Sequence, residues 1–475
     1  MAETNKDLEK AFNALVEKKR LYGKLWRYYD GDQPLVYNSE RLREIFSGLD
    51  ARFIQNWCAV VIDAVLDRIE MQVPRANNES ADLLLDELWD SSLETDVLGV
   101  HEDVCVTGES FVIVWPNKDD PATIDVFHND SRLVYVEYEL DNPRQMRFAA
   151  KWWREIDRVR ITLFYPDRLE YYASKKSTED IVSANAFDPY VDEDSGESVV
   201  ANPFGKIPVF HFRSSARKPK SQLSNILDIQ DAINKLLSDM MIAAEFGASP
   251  QRYVISHAGL DETLKIAPNT IWDLPASLEG QGTTAGQFQA SDLGNYLNAI
   301  SSLSMFIGIS TRTPRHYFFL QGGDPSGDAL ITMEAPLEKK VSRLTGSVQK
   351  TWREVVNFYM TLRGISVKSS DIVVDFDSFR TIQPGTQAAI RKTSKDTGVP
   401  LRTLLRIEGW DSADFKEMED DIVADFELTQ RIKEKESELA LAQKDKENEF
   451  AVTQRDKYPK LFEQPEPKAP MAPKS

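Results

Sequence analysis

Three aspartates near one β-rich run are the residues of this sequence best placed for chemistry. Asp371, Asp375 and Asp377 stand in or beside IVVDFDSF, and alternate residues of a strand point the same way. Asp375 and Asp377 could therefore share a Mg²⁺ ion, as a metal-dependent nuclease requires. No lysine or histidine partner lies close to that pair in the sequence, and acidic residues are abundant throughout the chain. A solvated strand edge without a metal ion is the favoured interpretation, and the nuclease stays as an alternative.

The remaining residues with catalytic potential lack the spacing that chemistry needs. The five histidines are scattered, and His101 and Cys105 share a helix face in a way more typical of core packing than of a metal site. The sequence contains no G-x-x-x-x-G-K-[ST], and GGDPSG at 322–327 lacks the lysine of a phosphate-binding loop. We therefore predict no catalytic residues, no metal and no cofactor.

Two apolar-striped segments flank a glycine-rich insertion. The first, Gln222 to Phe246, has apolar residues at the i, i+3, i+4, i+7 spacing of one helix face. The second, Ser291 to Ile309, is a helix whose Asn and Ser residues rule out a membrane span. Its stripe is Leu293, Leu297, Ile300, Leu303 and Ile307. On periodicity alone, packing of both helices in the core of a monomer is the favoured interpretation, and only the neighbouring segments argue against it.

Composition limits the classes of protein that fit. The 475 residues carry a net charge of −19, with 57 basic and 76 acidic residues, and 41% are hydrophobic. This balance argues against a protein that wraps nucleic acid in lysine and arginine. Cys58 and Cys105 are the only cysteines, and the first residues contain no apolar leader segment. We expect no disulfide framework and a reducing cytoplasm as the place of synthesis.

The rest of the chain predicts helices, then a sheet, then helices. From Ser110 the apolar period changes to two, and short runs such as FVIVW, TIDVF and VRITLFY predict a local antiparallel sheet. Thr386 to Thr397 and Glu427 to Lys457 are helical in pattern. The terminal QPEPKAPMAPKS is too rich in proline and polar residues to fold alone.

The order of several segments resembles the portal proteins of tailed bacteriophages, of the type found in siphophages of Gram-positive and actinobacterial hosts. Each segment alone is a weak signal, and their order makes the match specific. The segments are WRYYDGDQP, NWCAVVIDAVLDRI, VTGESFVIVWP, LSNILDIQDAINKLLSDMMIAAEFGASPQRYV and GDPSGDALITMEAPLEKK.

The resemblance implies an α+β portal fold with a wing of helices and antiparallel sheet, a two-helix stem, a small α/β clip and a helical crown. The implied boundaries are wing 1–220, stem helix one 221–247, clip 248–290, stem helix two 291–310, tunnel loop 311–327, long kinked helix with return strand 328–385, crown 386–430, and a charged helical or disordered tail 431–475.

The implied function is a dodecameric ring at one capsid vertex, through which double-stranded DNA is packaged and ejected. Implied partners are the DNA in transit, the large terminase subunit, the head-completion adaptor, scaffold and major capsid protein, without a membrane. The implied location is the virion, after assembly in the host cytoplasm. A metal-dependent nuclease and an acidic cytoplasmic scaffold are the alternatives.

Three sets of residues follow from this assignment. We expect subunit contacts in the stem, clip contacts, and one helix kink where Pro336 deletes a backbone hydrogen bond. The stem contacts are Ile233, Leu237, Leu293, Leu297 and Ile300, and the clip contacts are Arg252, Tyr253 and Trp272.

The implied tunnel loop is unusual in an acidic chain, because Arg312, Arg315 and His316 stand beside three aromatic residues. Two interpretations remain open. The arginines could pair with acids while the aromatics pack the loop. Alternatively, the arginines could make brief, salt-screened contacts with DNA phosphates.

Overall fold

The computed structural model describes sixteen stretches of the chain and divides it into two compact units, Met1–Pro384 and Gly385–Ser475. The described residues are 6–34, 54–76, 78–117, 120, 123–156, 158–174, 181, 183–192, 196–215, 217–248, 252–255, 284–289, 291–318, 327–377, 391–407 and 412–457.

The first unit combines helices with antiparallel strands. Its helices are α1 (Lys6–Tyr29), α2 (Trp57–Leu66), α3 (Glu79–Leu88), α4 (Glu94–Val106), α5 (Leu227–Ala248), α6 (Leu293–Thr311) and α7 (Gly327–Leu362). Its strands are β1 (Arg75–Ala76), β2 (Glu109–Pro116), β3 (Ile124–Asn129), β4 (Val134–Tyr138), β5 (Met146–Arg154), β6 (Val159–Phe164), β7 (Arg168–Ser174), β8 (Phe187–Pro189), β9 (Val199–Ala201), β10 (Val209–Arg213), β11 (Arg252–Ile255), β12 (Thr284–Gln287) and β13 (Ile372–Val373).

Two antiparallel sheets form the middle of this unit. The larger has the order β4-β5-β6-β7-β8, with β9 also on β7, and the smaller has the order β10-β2-β3. Every residue of β6 is buried, because α1 covers one face and the smaller sheet shares an apolar cluster with the other. The predicted local antiparallel sheet is confirmed by the consecutive pairings from β4 to β7.

Helix α1 is amphipathic and covers the larger sheet. Leu8, Ala11, Phe12 and Leu15 recur at the spacing of one helix face, and all four are buried. Phe12 stacks on Trp152 of β5, with ring centroids 5.7 Å apart.

Helix α7 provides the longest buried stripe of the unit. Trp352 is fully buried, its ring centroid lies 4.6 Å from that of Phe212, and its indole N–H donates to Nε2 of His101 at 3.1 Å. Burial lowers the pKa of His101 to about 4, so this imidazole is a neutral core acceptor. Cys105 is also buried, in agreement with the core interpretation of both residues.

Two predicted segments have different bounds in the structure. Helix α5 begins at Leu227, later than the predicted Gln222, because the Gln222 N–H donates to the Cys105 carbonyl at 3.1 Å and holds this segment in turns against α4. The predicted strand IVVDFDSF is reduced to β13, which pairs with β1, followed by an isolated bridge from Phe376 to Met71.

The second unit is helical in its described part. It contains α8 (Leu401–Ile407) and α9 (Ser412–Lys457), with residues 391–396 also helical. Leu405 and Phe415 are buried there. Among the described residues of both units, no helix is long and apolar enough to cross a membrane.

A buried carboxylate ties α1 to the smaller sheet. Glu109 is 4% exposed, with Lys18 Nζ at 2.6 Å from one oxygen and His211 Nε2 at 2.7 Å from the other. Burial would raise the pKa of Glu109, but the charge of Lys18 and the hydrogen bond from His211 hold that pKa well below its usual value. Lys18 is itself largely buried, so it depends on this carboxylate as its counter-ion.

Replacing Glu109→Gln is expected to lower the free energy of unfolding by about 3–5 kcal/mol, because it leaves the buried Lys18 without its counter-ion. The urea midpoint measures this loss. Glu17→Gln, at an exposed position on α1, is the matched control and should have almost no effect. Equal midpoints for the two variants would contradict the assigned role of the buried pair.

Candidate functional site

The candidate site begins where α6 ends. Arg312 is the only described non-glycine residue with positive φ, at 61°, and its N–H donates to the Gly308 carbonyl. This left-handed position ends the helix and turns the chain away from its axis. Thr313 then donates its N–H to the same carbonyl at 3.0 Å, so two hydrogen bonds fix the turn.

Beyond the turn, residues Arg312–Phe318, which we call the loop base, pack against the core. Arg315–Tyr317 form a 3₁₀ turn. Phe318 is 5% exposed, and its ring centroid lies 5.1 Å from that of Trp57. Gly308 permits this approach, since a Cβ there would lie 3.1 Å from the Phe318 ring and 3.1 Å from the Thr313 carbonyl oxygen.

A buried carboxylate on α7 holds the loop base in place. Glu334 is 4% exposed and receives Nε2 of His316 at 2.9 Å and Nη2 of Arg68 at 3.0 Å. The same Arg68 nitrogen donates to the Tyr317 hydroxyl at 2.7 Å. His316, predicted to face a channel, is therefore tied to α7 in this structure.

The two predicted arginines have a different environment from His316. Arg312 and Arg315 are exposed, and neither forms an ion pair with any residue in the described part of the chain. The packing interpretation therefore holds for His316, Tyr317 and Phe318, while the arginines keep the contact interpretation open. Residues 319–326 of the predicted loop lie outside the described residues.

A cavity of about 690 Å³ lies beside Arg312. Its walls come from the segment that leads into α5, from the end of α6 and from the middle of α7. The residues that line it are Ser214, Ser215, Lys220, Ser221, Gln222, Ser224, Asn225, Ser310, Thr311, Arg312, Lys340, Arg343, Leu344 and Ser347.

The predicted stem contacts divide between the interior and the surface. Ile233 is fully buried in the core of its own chain, so its prediction as a subunit contact is wrong: no side-chain surface is left for a neighbour. Ile300 packs partly against the same core. Leu297 is 54% exposed, and Leu237 and Leu293 are half-buried, so these three remain predictions.

The described part of the predicted clip contains the antiparallel pair of strands β11 and β12. Tyr253 lies over Gly286, where an added Cβ would come within 2.6 Å of the ring, and its centroid is 5.2 Å from that of Phe288. Arg252 begins β11, and Trp272 lies outside the described residues.

Of the three aspartates singled out for metal binding, Asp371 and Asp377 have carboxylates that accept hydrogen bonds from neighbouring side chains. Asp377 accepts a hydrogen bond from the Gln72 side chain at 2.8 Å, and the carbonyl of exposed Asp375 accepts from the Gln72 N–H at 2.9 Å. The described residues contain no cluster of three or more side chains that could hold a metal ion.

Pro336 lies inside the continuous α7 and is exposed, so the kink expected there remains a prediction. Sequence reasoning missed Glu334 and Lys340, because each is an ordinary charged residue of an amphipathic helix. The spacing of Lys340, Leu344 and Ser347 could have placed these three side chains on one face of the helix, but it could not show which residues pack against that face.

Comparison with known proteins gives three findings. A family model described as phage portal protein, SPP1 Gp6-like, matches residues 9–442. The portal protein of Mycobacterium phage L5 is 23% identical over 392 residues, which cover 76% of this chain and 76% of that protein. A chain from the neck of an empty GTA particle, computed with C6 symmetry, has a TM-score of 0.39 and 11% identity, covering 76% of this chain and 90% of that one.

Gly308→Ala is expected to destabilise the protein by about 1–3 kcal/mol, because the new methyl group meets the Phe318 ring and the Thr313 carbonyl. Gly346→Ala in α7 is the matched control: nothing lies within 4 Å of its added Cβ, so it should stabilise by up to about 1 kcal/mol. Urea midpoints measure both. A stabilised Gly308→Ala variant would show that the loop base does not pack as described.

Proposed function

Because the chain belongs to the SPP1 Gp6-like family of phage portal proteins, we propose that Arg312 and Arg315 contact the DNA that passes through its channel. Portal proteins are structural channel proteins and not enzymes. They form an oligomeric ring at one capsid vertex, through which double-stranded DNA is packaged and ejected.

The charge of the chain supports brief contacts over tight binding. A net charge of −19 repels phosphates, so a duplex in an acidic channel is kept from adhering to the wall. Exposed arginines that have no ion-pair partner among the described residues leave a few positions that attract phosphate. Each such contact is weak and screened by salt, so the arginines guide the duplex without holding it.

The anchoring of the loop base supports the same role. Glu334 binds His316, and Phe318 packs on Trp57, so the backbone that carries the arginines is held against the core. The side chains of Arg312 and Arg315 remain exposed on this support. A fixed backbone with long exposed cations keeps the positive charges at a constant position while the DNA moves.

The stem supplies the apolar surface that assembly needs. Helix α6 leaves Leu297, Met305, Phe306 and Ile309 between 45% and 70% exposed. We assign this face to contact between neighbouring subunits, in a ring of twelve, since a single chain leaves it in water.

The remaining domain roles follow the family arrangement. Residues 1–220 form the wing beside scaffold and major capsid protein, and the clip at 248–290 docks the large terminase subunit and then the head-completion adaptor. The boundary between crown and tail at residue 430 falls inside the continuous α9, so both share one helix. Assembly in the host cytoplasm and the final place in the virion complete the proposal.

Leu297→Lys is expected to weaken ring assembly while leaving the single chain folded, because the exposed side chain tolerates a charge in water but not in an apolar contact. Light scattering at micromolar concentration measures the mass, which for twelve chains of 54.0 kDa is about 650 kDa. Leu83→Lys, at a 67% exposed leucine of α3, is the matched control and should assemble normally. Wild-type protein that remains monomeric or dimeric, with or without scaffold, would contradict the ring.

Replacing both Arg312 and Arg315 with alanine should leave ring mass unchanged and reduce the DNA packaged per procapsid severalfold. An exposed ion pair contributes up to about 1 kcal/mol, and the contacts are lost in every subunit. Nuclease-resistant DNA measures packaging.

The matched control replaces Arg20 and Arg144 with alanine, which removes the same charge from exposed positions elsewhere. Normal packaging by an intact Arg312/Arg315 ring would remove the DNA-contact role. Failure of that variant to assemble would assign the arginines to structure.

A further inference from the structure

Several positively charged residues line the cavity beside the loop base, although the chain as a whole is acidic. Lys220, Arg312, Lys340 and Arg343 line it, and its described lining residues include no aspartate or glutamate. The chain as a whole has 76 acidic residues against 57 basic ones, so a cavity wall with four cations and no carboxylate departs from the average composition. None of these four cations forms an ion pair in the described part of the chain.

Lys340 shows most clearly that a counter-ion is missing. It lies largely buried on α7, and its ammonium group donates to the Thr311 carbonyl at 3.0 Å. Burial lowers its pKa to about 8, and the nearby positive charge of Arg312 acts in the same direction. A lysine removed from water without a carboxylate partner is costly, unless an anion joins it.

Neutral donors complete the wall. The side chains of Ser215, Ser310 and Asn225 line the cavity, and among the described residues these side chains have no hydrogen-bond partner. They add hydroxyl and amide groups to the four cations, and the donors come from three separate segments of the chain. Several donors converging from different directions suit a tetrahedral oxyanion better than a single planar carboxylate.

The segment that carries Lys220 is held firmly in place. Gly108 has φ of 100°, and an added Cβ there would lie 2.5 Å from the backbone nitrogen of Lys220. Ser214 donates its N–H to the Gly108 carbonyl at 2.8 Å, and its hydroxyl donates to the Lys220 carbonyl at 2.9 Å. The cavity wall is therefore preformed, which reduces the entropic cost of binding a ligand.

We propose that this cavity binds an oxyanion of the phosphate class. Free phosphate and a backbone phosphate of DNA share this chemistry. A duplex is too wide to enter, so DNA would present one phosphate at the mouth. The bound anion neutralises Lys340 and joins the segment before α5, the end of α6 and the middle of α7. Binding of free phosphate is independent of the function proposed above, and binding of DNA phosphate rests on it.

Isothermal titration calorimetry with sodium phosphate, at constant ionic strength in chloride, tests the site on the assembled protein. The wild type should bind phosphate, and the double variant Lys220→Gln with Arg343→Gln should bind it at least about tenfold more weakly. The matched control is the double variant Lys339→Gln with Lys368→Gln, which removes the same two charges from exposed positions that do not line the cavity and should bind like the wild type.

A short DNA duplex added to the phosphate titration distinguishes the two sources. If the duplex competes with phosphate, the site binds the backbone phosphate of DNA. If phosphate binding is unchanged by the duplex, the site binds the free ion. The absence of phosphate binding by the assembled protein would overturn the proposal. Carboxylates of a neighbouring subunit that occupy the cavity would give this result. Equal weakening in the control variant Lys339→Gln with Lys368→Gln would also overturn it, since net charge alone would then account for the loss. Because Arg312 and Arg315 are unchanged in these variants, failure here is separate from failure of the packaging test.

Discussion

The buried face of α7 is the interaction on which the rest of the first unit depends. Its apolar stripe runs through Leu337, Val341, Leu344, Val348 and Trp352, and all five are buried. The face is held at Trp352 by Phe212 and His101, which come from a strand and from another helix. Since Glu334 and Lys340 lie on the same helix, the packing that fixes α7 also fixes the anchor of the loop base and the floor of the cavity.

In this chain the positions of the charged residues matter more than their numbers. Two interior cations are paired with carboxylates, Lys18 with Glu109 and Arg68 with Glu334. The cations near the end of α6 lack such partners among the described residues, although the chain has an excess of acids. Of these cations, Lys340 is largely buried and Lys220, Arg312 and Arg343 are exposed, so an external anion would be most favourable beside Lys340. In a channel protein for DNA, that anion is available in every passing phosphate.

Helix α6 has apolar residues on two faces, one packed in the core and one exposed at the surface. Ile300, Leu303 and Ile307 face the core of the chain, whereas Met305, Phe306 and Ile309 remain exposed. About three apolar residues per two turns are enough to pack one face of a helix against the core of a monomer, and α6 has more. The surplus apolar surface is consistent with the ring that the family forms, because assembly removes it from water.

The sequence by itself determined the elements and the family. Period-two runs predicted the antiparallel strands and the apolar stripes predicted α5 and α6. The order of short segments indicated the portal family, and that resemblance implied the long helix α7. These signals are local, or they survive as order along the chain, so a single sequence carries them.

Only the tertiary structure decided which side chains meet. The partners of Glu334 include Arg68, 266 residues earlier, and no local pattern encodes that distance. The same holds for the division of the stem residues, where Ile233 is enclosed by its own chain and Leu297 is left exposed. Helical periodicity shows that a face is apolar, but only packing shows what covers it. The cavity of unpaired cations likewise exists because three segments, separate in sequence, are brought together around Lys340.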